Sequence, residues 1–206
     1  MLPIVYQDDD LLVLDKPSGL LAVPGRGPDL QDCLSARVHA ALPTALVVHR
    51  LDRDTSGLMI MALNPDSQRE LSRQFAEREV EKCYLAVVSG QPSADEGIID
   101  LPLRKDFERP PRHCVDHDHG KPARTVWRCT ERGPDRSLCE VFPQTGRSHQ
   151  IRIHLAWLGH PILGDNLYAP EEVRRMSPRL LLHASRLELG HPTSGQPLRF
   201  FAPCPF

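Results

Sequence analysis

Residues 47–65 read VVHRLDRDTSGLMIMALNP, and the order of residue types in this stretch sets the class of fold. Val47 to His49 is β-prone, Arg50 to Gly57 is a polar turn, and Leu58 to Leu63 is apolar on both faces, as befits a central strand covered on two sides. Asn64 then supplies an N-cap acceptor, and Pro65 falls at the first helical position, where its missing N–H is not needed. Leu71 and Phe75, four residues apart, give the following helix one apolar stripe to about Glu79. On the N-terminal side, Ile4–Tyr6 and Leu11–Leu14 flank Gln7–Asp10 as a hairpin, Lys16-Pro17-Ser18-Gly19 turns the chain, and a helix is expected over Leu30–Leu42 until Pro43 stops it. On the C-terminal side, Cys83–Val88 reads as a strand with Tyr84, Ala86 and Val88 on one face. Residues 102–124 read as a long, polar, proline-broken excursion, and strands return at Thr125–Cys129 and Leu138–Phe142. Ser148 is placed to cap a helix in which Ile151, Leu155 and Leu158 align and Gly159 ends the run, although Gln150 to Leu155 also alternates like a strand.

Short strands mixed with short helices, without a regular βαβ rhythm or an internal repeat, predict an α+β fold: a mostly antiparallel mixed sheet with flanking short helices and loops, residues 1–206 forming one domain. Composition narrows the class further. Of 206 residues, 20 are proline, which excludes a coiled coil or helix bundle. No apolar run reaches the roughly 18 residues a membrane helix needs, and the acidic opening MLPIVYQDDD lacks the basic start of a signal peptide, so a cytoplasmic protein with no membrane partner is expected. Six widely spaced cysteines without a CxxC pair read as free thiols. The net charge of -2 is uneven: residues 1–100 hold 9 basic against 16 acidic side chains, residues 101–206 hold 16 against 11. That asymmetry is compatible with an anionic partner.

Three constellations carry possible chemistry. His49-Arg50-Leu51-Asp52-Arg53-Asp54-Thr55-Ser56-Gly57 crowds carboxylates, guanidiniums, an imidazole and hydroxyls into one turn, which is either a site on a rigid scaffold or a charged turn with capping aspartates. Thr145-Gly146-Arg147-Ser148-His149-Gln150-Ile151-Arg152 places arginines at a glycine turn and one turn into a helix, a phosphate-attracting arrangement or an ordinary basic face. His113, Cys114, His117 and His119 have the elements of a zinc site, but a solvated loop is the expected reading, and no metal is assigned.

Together HRLDRDTSG, KCYLAVV, TGRSHQIRIHLAWLGHPILGD and LLLHA resemble the RluA-type pseudouridine synthases, as does the opening VYQDDDLLVLDKPSGLLAVPG. The resemblance implies isomerisation of specific RNA uridines to pseudouridine, without cofactor or metal. It places the catalytic aspartate of HRLD at Asp52, the strand tyrosine at Tyr84 and the arginine of HQIRxH at Arg152. Arg50 corresponds to the residue that displaces the target base, and His49, Thr55, Arg147, His149 and Gln150 complete the implied substrate-binding set. A carboxylate acts as nucleophile only while ionised, and a dry pocket disfavours that form, so the scheme needs a cation such as Arg152. Tyr84 would stack on the uracil or serve proton removal. The short form and the VPGR turn point, within the family, to members acting on a tRNA anticodon stem-loop and a 23S rRNA hairpin, and a monomer without an S4-like N-terminal domain is expected. A catalytically inactive RNA-binding module, a hydrolase using a metal in the His-rich loop, and the same chemistry on another rRNA or tRNA target are the rival readings.

Overall fold

The run that decides the fold, Leu58 to Ala62, lies in a strand of which all seven residues are buried. The computed structural model describes residues 2–206. In chain order the elements are β1 Ile4–Gln7, β2 Leu11–Lys16, α1 Leu34–Ala41, β3 Leu46–Val47, β4 Ser56–Ala62 and α2 Pro65–Glu77. There follow β5 Glu81–Ser89, β6 Glu96–Asp100, β7 Leu103–Lys105, β8 His113–Val115, β9 Arg124–Arg132, β10 Arg136–Pro143, α3 Gln150–Trp157 and α4 Glu171–Arg174. The last two strands are β11 Leu182–Gly190 and β12 Pro197–Phe201. This is the expected α+β architecture. The chain divides into two compact units: the N-terminal part through Lys82 together with His183–Pro205, and Cys83–Leu182.

In the first unit β2 is antiparallel to both β1 and β4, and β11 runs parallel to β4 with Ala184 opposite Gly57 and antiparallel to β12. Leu11, Val13, Leu58, Ile60, Leu71, Val80, Leu187 and Phe200 make one apolar cluster beneath α2. Burial of each such side chain contributes roughly 1.5–3 kcal/mol, enough for the sheet to dictate the path of the turns at its ends. Asn64 caps α2 as its sequence promises: its side chain accepts the Ser67 N–H at 2.8 Å. Helix α1 is shorter than expected and starts at Leu34, because Pro28–Leu30 closes a separate 3-10 turn and Cys33 is extended, its sulfur accepting the Ala36 N–H.

In the second unit β5, β10, β9 and β6 form an antiparallel ribbon. One of its faces packs Ala86, Val88, Trp127, Val141, Ile151 and Leu155 together. The segment expected to be an irregular excursion contains the hairpin β7–β8, with Leu103 opposite Val115. Its polar residues hold it: the Asp106 carboxylate accepts the N–H groups of Glu108 and Arg109, and that of Asp116 accepts those of Asp118 and His119. Gln150 to Leu155 is helical, which settles the ambiguity of its alternation. The residue at the cap is His149, left-handed at φ 57° and without a side-chain cap bond, where Ser148 was expected. Gln150 instead folds back on the preceding turn, its Oε1 accepting the Arg147 N–H at 3.0 Å and the Thr145 hydroxyl at 2.7 Å.

The six cysteines are free thiols. Cys139, facing Cys129 across β9 and β10, is pushed up to about 12 by burial and by its neighbour, so it is unreactive. Among the described residues no helix is long and apolar enough to cross a membrane.

Candidate active site

The first unit presents Arg50, Asp52 and Thr55 on the turn that leads into β4. The turn has no regular hydrogen-bonded ladder of its own and is anchored from the opposite side. Lys16, on the same alternating face of β2 as Leu12 and Leu14, is fully buried, and its ammonium donates to the carbonyls of Pro17 at 2.8 Å, Leu20 at 2.8 Å and Arg53 at 2.9 Å. The Gly19 N–H donates to the same Arg53 carbonyl at 2.9 Å, and the Ser18 hydroxyl donates to the Asp54 carbonyl at 2.7 Å. The turn read only as Lys-Pro-Ser-Gly punctuation therefore fixes the backbone one residue after Asp52. The signal for this was a lysine at a position where the period of two demands an apolar side chain.

Within this loop the side chains divide by exposure. Arg50 is exposed and Asp52 half-buried, whereas Thr55 is buried at 2%. Arg53 and Asp54 pair with each other at 3.0 Å. His49 is turned inward: it stacks on Phe75 with ring centroids 4.5 Å apart, and its Nε2 accepts the Ile60 N–H at 2.9 Å. An imidazole that accepts a backbone proton at Nε2 must be neutral there. Burial, reinforced by the charge of Lys82, lowers it to about 3. His49 thus ties the loop to β4, and its accepting nitrogen is already occupied by the fold.

The second unit holds the remaining site residues. Tyr84 is half-buried on β5 opposite Val141, at the edge of the core that Ala86 and Val88 enter on the same face. Arg152, on α3, is 2% exposed and grips Asp165 with two bonds, Nε to Oδ2 at 2.8 Å and Nη2 to Oδ1 at 2.6 Å. Nη2 also donates to Asn166 Oδ1 at 3.2 Å. Arg147 is exposed, its Nε donating to the Pro122 carbonyl at 3.1 Å.

A buried polar network fixes α3. Gln150, 4% exposed, donates to the Arg124 carbonyl and to Thr125 Oγ1, each at 2.9 Å. The Thr125 hydroxyl in turn faces His154 Nδ1 at 2.8 Å, and His154 Nε2 lies 3.1 Å from the Leu101 carbonyl. Burial lowers His154 and keeps it neutral, as a donor at one nitrogen and an acceptor at the other requires. Satisfied networks of this kind hold one geometry, so the helix carrying Arg152 is rigidly placed. His149 Nδ1 lies 2.6 Å from the Tyr168 hydroxyl. Asp165 and Tyr168 were missed as site residues by sequence reasoning: Asp165 closes a stretch that carries the resemblance, but its bond to Arg152 and the contacts of Tyr168 arise only when that stretch folds back on α3.

The possible metal ligands do not converge as the sequence spacing allowed. The donor atoms grouped together are those of Asp116, Asp118 and His119, with Asp118 and His119 exposed. Asp116 is ion-paired with Arg104, and the His119 N–H, then Arg104, holds its carboxyl at about 2. His113 and Cys114 are consecutive on β8, and successive side chains of a strand leave opposite faces.

Comparison with known proteins places these residues in context. The sequence pattern of the family described as RNA pseudouridylate synthase matches residues 10–157. The chain is 49% identical over all 206 residues to the dual-specificity RNA pseudouridine synthase RluA of Escherichia coli (strain K12), covering 94% of that protein. It is 48% identical over 198 residues to the protein of the same name from Yersinia pestis, covering 96% of each chain. Among solved structures, human RNA pseudouridylate synthase domain containing 1 superposes with a TM-score of 0.83 at 32% identity, over 100% of this chain and 84% of that one.

Proposed function

The chain belongs to the RNA pseudouridylate synthase family, and from that premise we propose that Asp52 is the nucleophile with which it converts uridine in RNA to pseudouridine. The observation that carries this reading is the placement of Asp52 on a half-buried turn whose backbone is pinned by Lys16, Ser18 and Gly19. Preorganisation of that kind is what a nucleophile attacking a poorly reactive glycoside requires. In the proposed scheme the Asp52 carboxylate bonds transiently to the nucleoside, the C1'–N1 bond breaks, the uracil turns over, and the C1'–C5 bond forms as the bond to Asp52 is released, C5 giving its proton to a base and N1 gaining one. In this scheme Tyr84 stacks on the uracil and serves the removal of its proton, and Arg152 supplies the positive charge that an ionised nucleophile needs. Arg50, exposed on the same turn as Asp52, takes the place of the displaced base, an exchange that lowers a flipping cost of a few kcal/mol. Arg147 contacts the phosphate backbone, which sets register without selecting sequence.

The relatives named as dual-specificity enzymes support two RNA targets for this chain, and the motif resemblance proposes a tRNA anticodon stem-loop and a 23S rRNA hairpin, both met in the cytoplasm and both presenting loop uridines that are cheaper to extrude than paired ones. The neutral, inward His49 and the internally bonded Gln150 support the site from behind rather than touch RNA. Replacement Asp52→Asn is expected to abolish tritium release from 5-tritiated uridine in tRNA while RNA affinity stays within about tenfold, roughly 1.4 kcal/mol. Activity surviving the change would remove Asp52 from the nucleophile's role. Mapping pseudouridines in tRNA and 23S rRNA from a strain lacking the gene tests the two targets directly.

A further inference from the structure

We propose that Tyr168 is a positioning residue for the reaction: it holds the guanidinium plane of Arg152 in its working orientation and ties that plane to the root of the β7–β8 hairpin. The inference rests on the role given to Arg152 above. Asp165 grips Arg152 through Nε and Nη2, and Asn166 shares Nη2, so these contacts fix one edge of a planar group. A fork held along one edge is still free to swing about it. The Tyr168 ring blocks that swing, because the Arg152 guanidinium carbon lies 5.3 Å from its centroid. A cation over an aromatic face is attracted to it, by about 0.5–1 kcal/mol when exposed and about 2 when desolvated, and Arg152 is desolvated.

The ring is itself restrained. Its hydroxyl accepts the His113 N–H at 2.9 Å and is hydrogen-bonded to His149 Nδ1 at 2.6 Å. His149 sits at the left-handed residue that starts α3, and His113 begins β8. The guanidinium carbon of Arg112, immediately before β8, lies 5.2 Å from the same ring centroid. Ile153 of α3, buried beside Leu103 and Ala123, packs with Val115 and Tyr168 in one small apolar cluster. Tyr168 therefore joins the two elements that the notion of a solvated His-rich loop kept apart, and the contact that does so is the one touching Arg152.

The test uses the full chain in single-turnover tritium release from a 5-tritiated tRNA transcript on which the parent is active, reading the rate at saturating enzyme and the half-saturating concentration. Tyr168→Leu removes ring and hydroxyl, and is expected to lower the saturated rate at least about thirtyfold with half-saturation within about threefold. Tyr168→Phe keeps the ring without its anchor, and is expected to recover the rate to within about fivefold of the parent while remaining below it. A leucine variant within threefold of the parent rate, a phenylalanine variant no better than leucine, or a change confined to half-saturation would each overturn the proposal. If the leucine variant fails to melt cooperatively, the phenylalanine variant decides, and a rate equal to the parent's overturns it. Arg152→Ala, run alongside, separates the two layers: its retention of the parent rate defeats the role of Arg152 and this proposal with it, whereas an inactive Arg152→Ala beside a fully active Tyr168→Leu defeats this proposal alone.

Discussion

Single residues with several partners govern the loop that bears Asp52. Lys16 is a buried cation whose donors meet three carbonyls, so Lys16→Met, of similar length, leaves those oxygens facing an apolar chain. Each buried acceptor stripped of its donor costs about 1–3 kcal/mol, and the variant is expected to lose roughly 3 kcal/mol of stability in urea unfolding together with most of its activity. A stable but inactive protein would mean that the ammonium serves the loop's geometry alone. His49 makes a prediction about pH. Its value in the fold is about 3 against 6.5 for an ordinary histidine, so the folded protein binds fewer protons than the unfolded chain between those limits. Its contribution is therefore complete above pH 6.5 and is lost as pH falls toward 3, at no more than about 1.4 kcal/mol per pH unit. Unfolding free energies at pH 7 and pH 5 are expected to differ by up to about 2 kcal/mol from this residue, and by correspondingly less in His49→Gln; equal differences in the two proteins would refute the assignment. That histidine was legible in the sequence as part of a reactive-looking turn. Its inward direction was not, because Phe75 and Ile60, which claim it, are distant in the pattern of the chain.

At the scale of elements, the strands and the long helix follow from local rules, and the exceptions show which local rules were outweighed. The stretch around β4 and α2 behaves as its apolar run, asparagine cap and first-turn proline require, since each signal is satisfied by residues within a few positions. The start of α3 departs because the left-handed residue before it is His149 rather than Ser148, and the buried side chain of Gln150 ties the first turn to Arg124, Thr125 and Arg147. The β7–β8 hairpin was unreadable because its strands are three residues each and its stability comes from two aspartates folding back on their own backbone. Gly57 offers the sharpest test at this scale. It has φ 111°, and a Cβ there would collide with the backbone of Ala184 on the parallel strand β11. Gly57→Ala combines a disallowed backbone with loss of that strand pairing, and is expected to cost more than about 3 kcal/mol, seen as insoluble expression or a large fall in melting temperature. A variant melting within a few degrees of the parent would show that β4 and β11 tolerate separation.

For the molecule as a whole, charge is distributed unevenly along the chain, the half after residue 100 being the basic one, and only 4 of the 25 basic residues are lysine. Guanidinium forks suit phosphate, and each neutralised phosphate releases counterions, so the half-saturating concentration for RNA is expected to rise steeply with salt. Arg147→Ala should weaken binding similarly for all substrate sequences and reduce the slope of log affinity against log salt by about 0.7 to 1; an unchanged slope would mean that Arg147 makes no phosphate contact. The distribution of proline is the whole-chain counterpart of the local rules. The windows 44–64, 66–91 and 144–160 are proline-free, and they contain Asp52, Tyr84 and Arg152, the elements β4, β5 and α3, and all of α2 after its first residue, Pro65. By itself the sequence determined the α+β class, the main strands, α2, the family and the positions matching its chemistry, because periodicity, caps and motif spacing act over short stretches of chain. Only the tertiary structure decided that Lys16 anchors the aspartate's turn, that His49 and Gln150 face inward, and that Asp165 and Tyr168 hold Arg152. Those assignments depend on hydrogen bonds and packing between segments far apart in the chain, and such partners are selected by the geometry of the folded core rather than by any local order of residues.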